Sequence, residues 1–147
     1  LLIHARQSTG RILEILQREG NGQVTGIFHA FSGSPETAAR IIDMGFALGI
    51  GGVVTFSEAR KLPEVVRKAP AQALVLETDA PDMTPEPYRG QPNRAVYLGL
   101  VARQVALLRN WSLEETAEIT TTNACRILGL ARELFVYEDN EKNHEQS

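Results

Sequence analysis

One cysteine, three histidines and one tryptophan are spread over 147 residues. A lone Cys125 excludes an internal disulfide and a cysteine-based zinc cluster. It is expected to pack as a small apolar residue on a helix. No apolar run approaches the ~20 residues of a membrane span, and no signal peptide is visible. The expectation is a cytoplasmic protein with no membrane partner. A basic surplus is missing too: 15 Lys and Arg stand against 18 Asp and Glu, for a net charge of −3. That excludes the broad positive field of a protein binding nucleic acid mainly through phosphates. It leaves room for a local site in which bound metals supply the charge. Length is also short for one architecture: a (β/α)₈ barrel needs ~250 residues. The chain can still form one domain with a sizeable core.

Three short stretches carry the chemistry. They are Leu1-Leu2-Ile3-His4-Ala5-Arg6, Gly26-Ile27-Phe28-His29-Ala30-Phe31-Ser32-Gly33 and Leu74-Val75-Leu76-Glu77-Thr78-Asp79-Ala80-Pro81. Each is an apolar run with a His or Asp at or near its end, the pattern of a buried parallel strand with a functional tip. Two imidazoles and a carboxylate on neighbouring tips can hold a Zn²⁺-, Mn²⁺- or Mg²⁺-type ion.

Between these stretches strand and helix alternate, which argues for parallel βα units. Ser8 is placed to cap a helix bearing Ile12, Leu13, Ile15 and Leu16 on one face. A strand is expected from Thr25 to Phe28. Ser34-Pro35-Glu36 starts a second helix, with Ala38, Ala39, Ile41 and Ile42 buried and Gly45 as its stop. A third strand runs through Phe46–Ile50, where Gly51 and Gly52 let the backbone approach a neighbour or a ligand. A helix over Leu62–Ala69 leads to the strand Leu74–Leu76. A long proline-rich loop follows, of the kind that often has a function. Helix returns from Ala95 to Leu108. Ser112 and Glu115 form a capping box, and a further short helix leads to Gly129. Residues 138–147 are all polar and read as a disordered tail, His144 included. The domain reading is a partial barrel over 1–137 followed by that tail.

Each candidate also has an ordinary structural role. His4 and His29 can be hydrogen-bonded strand-end residues, and Asp79 can cap the next turn. Glu77 lies two residues before Asp79, on the same side of the strand. It either orients a neighbour or pairs with an arginine, and no ligand role is assigned to it. Arg6 fits a substrate phosphate or a salt bridge to a core carboxylate. Ser32 and Ser34 precede a helix N-terminus, which attracts anions, but Ser34 as a plain cap is more economical. Arg89-Gly90-Gln91-Pro92-Asn93 either shapes a substrate entrance or turns the chain. Trp111 is assigned to packing.

These motifs, in this order and spacing, resemble the TatD family of metal-dependent deoxyribonucleases. The resemblance rests on His4-Ala5-Arg6, Phe28 to Gly33, Gly49 to Phe56, Glu77 to Pro81 and Thr120-Thr121-Thr122-Asn123, and runs from Leu1 to about Leu130. It implies an α/β fold: the C-terminal half, four βα units, of a TIM-type (β/α)₈ metal-dependent hydrolase barrel. It implies divalent metal ions (Mg, Mn or Zn) as cofactors, with His4, His29 and Asp79 as ligands. Asp79 would also accept a proton from the attacking water, and Arg6 would bind substrate. DNA or another phosphodiester is the implied partner. The family's first-strand His-x-His and bridging Glu have no counterpart here. Two expectations follow: a hydrolase made whole by a missing N-terminal half or a partner chain, or a catalytically silent half-barrel. Open strand edges predict self-association as a two-fold dimer. The competing expectation is an open sheet covered by the C-terminal helices.

Overall fold

The computed structural model describes residues 1–20 and 22–131. The expected polar tail, and the 132–137 end of the expected domain, lie outside the described residues. Four parallel strands form one sheet in sequence order: β1 (Leu2–His4), β2 (Gly26–His29), β3 (Phe46–Ile50) and β4 (Leu74–Leu76). Helices α1 (Thr9–Glu19), α2 (Pro35–Asp43) and α3 (Lys61–Lys68) make the crossovers, and α4 (Leu98–Arg109) and α5 (Leu113–Leu128) follow β4. The architecture is α/β, four βα units on one parallel sheet. Among the described residues β1 and β4 each have a neighbour on one side only.

Strand alternation sorts the two faces. Phe28, Phe46, Leu48, Ile50 and Leu74 point to the outer face, under Leu13 of α1, Ile41 of α2, Val65 and Val66 of α3, and Val101 and Val105 of α4. All of these are buried, and each such side chain contributes about 1.5–3 kcal/mol by leaving water. Ile27, Ala47 and Val75 point to the inner face, where Ala124 and Ile127 of α5 cover them.

The helix starts follow from their caps. Ser34 accepts from the Thr37 N–H at 3.3 Å with Pro35 in the first turn. Ser112 and Glu115 form the expected reciprocal box, at 3.0 Å and 2.7 Å. Three expectations need correction. Ser8 stands at the N-cap of α1, but its side chain makes no capping bond. Ala39 is exposed, because one residue on from Ala38 the helix has turned off its buried face. α5 is one continuous helix to Leu128, not two pieces. Its threonines fit inside it because the Thr116 and Thr120 hydroxyls donate to the carbonyls four residues earlier.

One anchor fixes α5 to the sheet and another fixes α4 to α3. The Asn123 amide donates to the Ala71 and Leu74 carbonyls, both at 2.8 Å, and pins α5 to the start of β4. The Arg109 guanidinium donates to the Val66, Arg67 and Ala69 carbonyls at the open end of α3 and lies 4.4 Å over the Trp111 ring. Trp111 therefore packs, as expected, and Cys125 is buried on its helix. No helix among the described residues is long and apolar enough to cross a membrane.

Candidate metal centre

Parallel pairing brings the strand tips together. His4 closes β1 and His29 closes β2, and the two are register partners. Their rings stand 5.8 Å apart, centre to centre, tilted by 38°. β4 ends two strands away. Its chain continues one more ladder bond, with the Glu77 N–H donating to the Ile50 carbonyl at 3.1 Å. Glu77 and Asp79 then reach back to the same imidazole. His29 Nδ1 lies 3.0 Å from Glu77 Oε1, and His29 Nε2 lies 2.9 Å from Asp79 Oδ1.

The span from β2 to β4 is crossed over a glycine. Gly49, in β3 between them, has no side chain, and a Cβ there would sit 2.2 Å from Glu77 Oε2. The Glu77 carboxylate occupies that space. It also accepts from the Ala30 N–H just past His29. Ala30 and Asp79 both have positive φ, at 48° and 58°. Asp tolerates the left-handed region better than most residues, and Ala does so at a cost. The Glu77 bond and the Phe31 N–H donation to the Gly49 carbonyl at 3.0 Å hold Ala30 there.

The loop after Asp79 is equally well held. Asn93 is buried, and its amide donates to the Thr78 and Asp82 carbonyls, both at 2.7 Å. Its backbone N–H donates to the Pro81 carbonyl at 2.8 Å. Gly52 permits the close approach expected of its glycine pair: a Cβ would lie 1.9 Å from the Met83 carbonyl oxygen. The neighbour is therefore this loop. Asp79 accepts from the Asp82 N–H through its backbone carbonyl, so its carboxylate is not spent on capping that turn.

Burial pulls the His29 pKa down and is the largest single influence. The hydrogen bonds and negative charges of Glu77 and Asp79 together outweigh it, and the net pKa is raised above the ordinary value. An imidazole between two carboxylates holds its proton well. A divalent cation competes for the same place.

The donor types suit such an ion: two imidazoles and a carboxylate, with Glu77 fixing the tautomer from the far side of His29. The spacing between His29 and Asp79 is that of a hydrogen bond. Two donors on one tetrahedral ion at ~2.1 Å stand ~3.4 Å apart, and His29 and Asp79 are at 2.9 Å. Among the described residues no three His, Cys, Asp or Glu side chains already surround a common cation position. A tetrahedral ion would require His29 and Asp79 to part by about half an ångström, whereas neighbouring donors of an octahedral ion at ~2.1 Å stand ~3.0 Å apart, close to the spacing present.

His4, His29 and Asp79 thus share one end of the sheet. Arg6 lies beyond the β1 tip, exposed, with no hydrogen bond or ion pair among the described residues. His144 lies outside them. Of the two roles the sequence offers Glu77, the structure shows it against a neighbour, His29, and not an arginine; the sequence assigns no such part to Gly49 or Asn93. Glu77 carried one signal, its period-of-two relation to Asp79.

A family model described as TatD related DNase matches residues 1–129. The chain belongs to the TatD-related DNase family. It is 45% identical over 127 residues to YabD of Bacillus subtilis, described as an uncharacterized metal-dependent hydrolase, covering 86% of this chain and 50% of the relative. A similarly described protein of Mycobacterium tuberculosis, TatD, is 42% identical over 130 residues, covering 88% and 49%. The crystal structure of YJJV, a TatD homolog from Escherichia coli, superposes with a TM-score of 0.82 at 32% identity, covering 88% of this chain and 50% of that one. The chain spans about half the length of the curated relatives it matches. That agrees with half of a barrel.

Proposed function

We propose that this chain supplies the C-terminal half of the active site of a metal-dependent hydrolase that cleaves phosphodiester bonds in DNA. The observation that carries the reading is the His29 imidazole held between Glu77 and Asp79, with His4 beside it on the adjoining tip. His4, His29 Nε2 and Asp79 would hold a divalent ion of the Mg, Mn or Zn kind. When bound, such an ion polarises the phosphoryl oxygen and lowers the pKa of its water. Glu77 keeps the His29 Nδ1 proton and so presents Nε2 unprotonated to the ion. Asp79 takes the proton of the attacking water on its free oxygen. Arg6, exposed past the tip of β1, is free to meet a phosphate with its planar fork.

A second reading is favoured by one fact: the three side chains do not yet converge on one point. On that reading the 147-residue chain alone is a catalytically silent half-barrel, and turnover needs ligands from the other half. The open edges of β1 and β4 are the surface on which that half, or a second copy of this chain, would dock. We combine the two readings. The purified chain should bind Mn²⁺ or Zn²⁺ weakly in calorimetry, lose that binding in Asp79→Asn, and show no efficient DNA cleavage. A wild-type chain that takes up neither ion overturns the site. Robust metal-dependent cleavage lost in Asp79→Asn overturns the silent state and keeps the site. Sedimentation at micromolar concentration should show self-association, and a cooperatively unfolding monomer would remove the second copy as partner.

A further inference from the structure

The long loop from Glu77 to Arg94 has a feature that hydrolysis at the strand tips does not use. Tyr88 and Tyr97 stack on one another, with ring centres 4.6 Å apart and planes within 12°. Tyr97 sits in a short 3₁₀ turn, 95–97, just before α4, and is half buried. Tyr88 is 38% exposed. The inner ring therefore backs the outer one.

The loop holding Tyr88 is built to stay in place. Asn93 ties it to the backbone on both sides of Asp79, at Thr78 and at Pro81 and Asp82. The buried Thr84 hydroxyl closes it onto the Gln91 carbonyl at 2.5 Å. The Glu86 N–H donates to Thr55 Oγ1, beyond the end of β3, at 2.9 Å. The Asn93 bonds and the Glu86 bond hold the loop at the sheet end that carries His4, His29 and Asp79, and the Thr84 bond closes the loop on itself.

The neighbouring cation decides what such a surface can bind. Arg89 is the obvious phosphate ligand on this loop, but it is already engaged. Its guanidinium lies 4.1 Å over the Phe56 ring, pairs with Glu58, and has Glu86 at 3.9 Å. With two carboxylates beside it, it offers little net charge to a phosphate. What the loop presents is a stacked aromatic pair, at the same end of the sheet as His4, His29 and Asp79.

We propose that the Tyr88–Tyr97 pair is a stacking platform for an unpaired nucleobase of a DNA strand whose phosphate lies at the His4–His29–Asp79 site. The proposal rests on the phosphodiester reading above. Every base has a π-face, so stacking on tyrosine adds affinity without reading sequence. It also favours single-stranded substrate, because a base inside a duplex has no free face.

The test is fluorescence anisotropy of a labelled oligothymidylate of about eight nucleotides, beside a strand of equal length with abasic sugars, both in Mn²⁺. Tyr88→Ala should weaken binding of the base-bearing strand about tenfold and change the abasic strand by less than about twofold. Tyr88→Leu, which keeps apolar bulk without a π-face, should follow alanine, and Tyr88→Phe should restore affinity. Circular dichroism confirms that each variant is folded. Equal losses for both strands, or no loss in Tyr88→Ala, overturn the platform while the phosphodiester reading stands. Failure of the wild-type chain to bind either strand overturns both.

Discussion

The two faces of the sheet are built to different rules. The outer face is closed: Phe28, Leu48 and Leu74 are almost wholly buried under four helices. The inner face starts apolar, with Ile27, Ala47 and Val75 under α5. It then turns polar toward the strand tips, where Glu77, Asp79 and His29 keep between 17% and 29% of their side chains exposed. The same alternating strands supply both. The outer face maximises burial and tolerates no polar group. The inner face gives up burial and stores positive-φ residues and paired ionisable groups. Stability should therefore depend on the outer face, and metal affinity on the inner.

The widest gap between the faces should appear in Leu48→Ala. Leu48 is completely buried at the centre of the outer core. Its truncation leaves a cavity and should cost ~2–5 kcal/mol of unfolding free energy. Denaturant titration measures this, and a loss under ~1 kcal/mol would mean that the outer core is loosely packed. Asn123→Ala should come next. It strips the Ala71 and Leu74 carbonyls of their donor, at roughly 1–3 kcal/mol. Since Asn123 sits at the opposite end of the strands from His29, metal binding should survive in whatever fraction stays folded. Metal affinity falling with stability would show that the two ends are coupled.

Glu77→Gln reverses the pattern. The amide keeps the size but loses the charge that holds the His29 Nδ1 proton. Calorimetric Mn²⁺ or Zn²⁺ affinity should fall ~10–100-fold, the usual cost of removing such a supporting carboxylate. The melting temperature should move little by comparison. An unchanged affinity would reduce Glu77 to a packing residue.

What the sequence made legible follows the same division. Strand alternation, caps and turn residues act locally, so β3, β4, the Ser34 cap and the Ser112–Glu115 box could be read directly. The common location of His4, His29 and Asp79 was also readable, because parallel strands place all their tips at one end. What escaped depends on contacts between distant residues. Glu77 meets His29 across 48 positions, over a gap that exists only because residue 49 is glycine. Asn93 ends a stretch that by sequence either shapes an entrance or turns the chain, and only the folded loop shows it bridging to Thr78 and Asp82. The continuity of α5 was missed for a related reason. It rests on the Thr116 and Thr120 hydroxyls bonding back to carbonyls one turn earlier, which only the folded helix shows.

Gly49→Ala gives the smallest and sharpest test of the inner face. Its neighbour Leu48 faces the outer core, so the substitution leaves that face alone. The new methyl would stand 2.2 Å from Glu77 Oε2 and 2.6 Å from its carboxyl carbon, far inside contact distance. A free glutamate would swing away at little cost. This one is tied to His29 Nδ1 and to the Ala30 N–H, so moving it breaks both bonds. Metal affinity should drop by up to about tenfold, less than in Glu77→Gln, because the displaced carboxylate keeps its charge nearby. Combining Gly49→Ala with Glu77→Gln should add little to the loss in Glu77→Gln alone, since both act on the same carboxylate. Fully additive losses in that double-mutant cycle would show that Gly49 acts on the site by another route, through the β3 backbone.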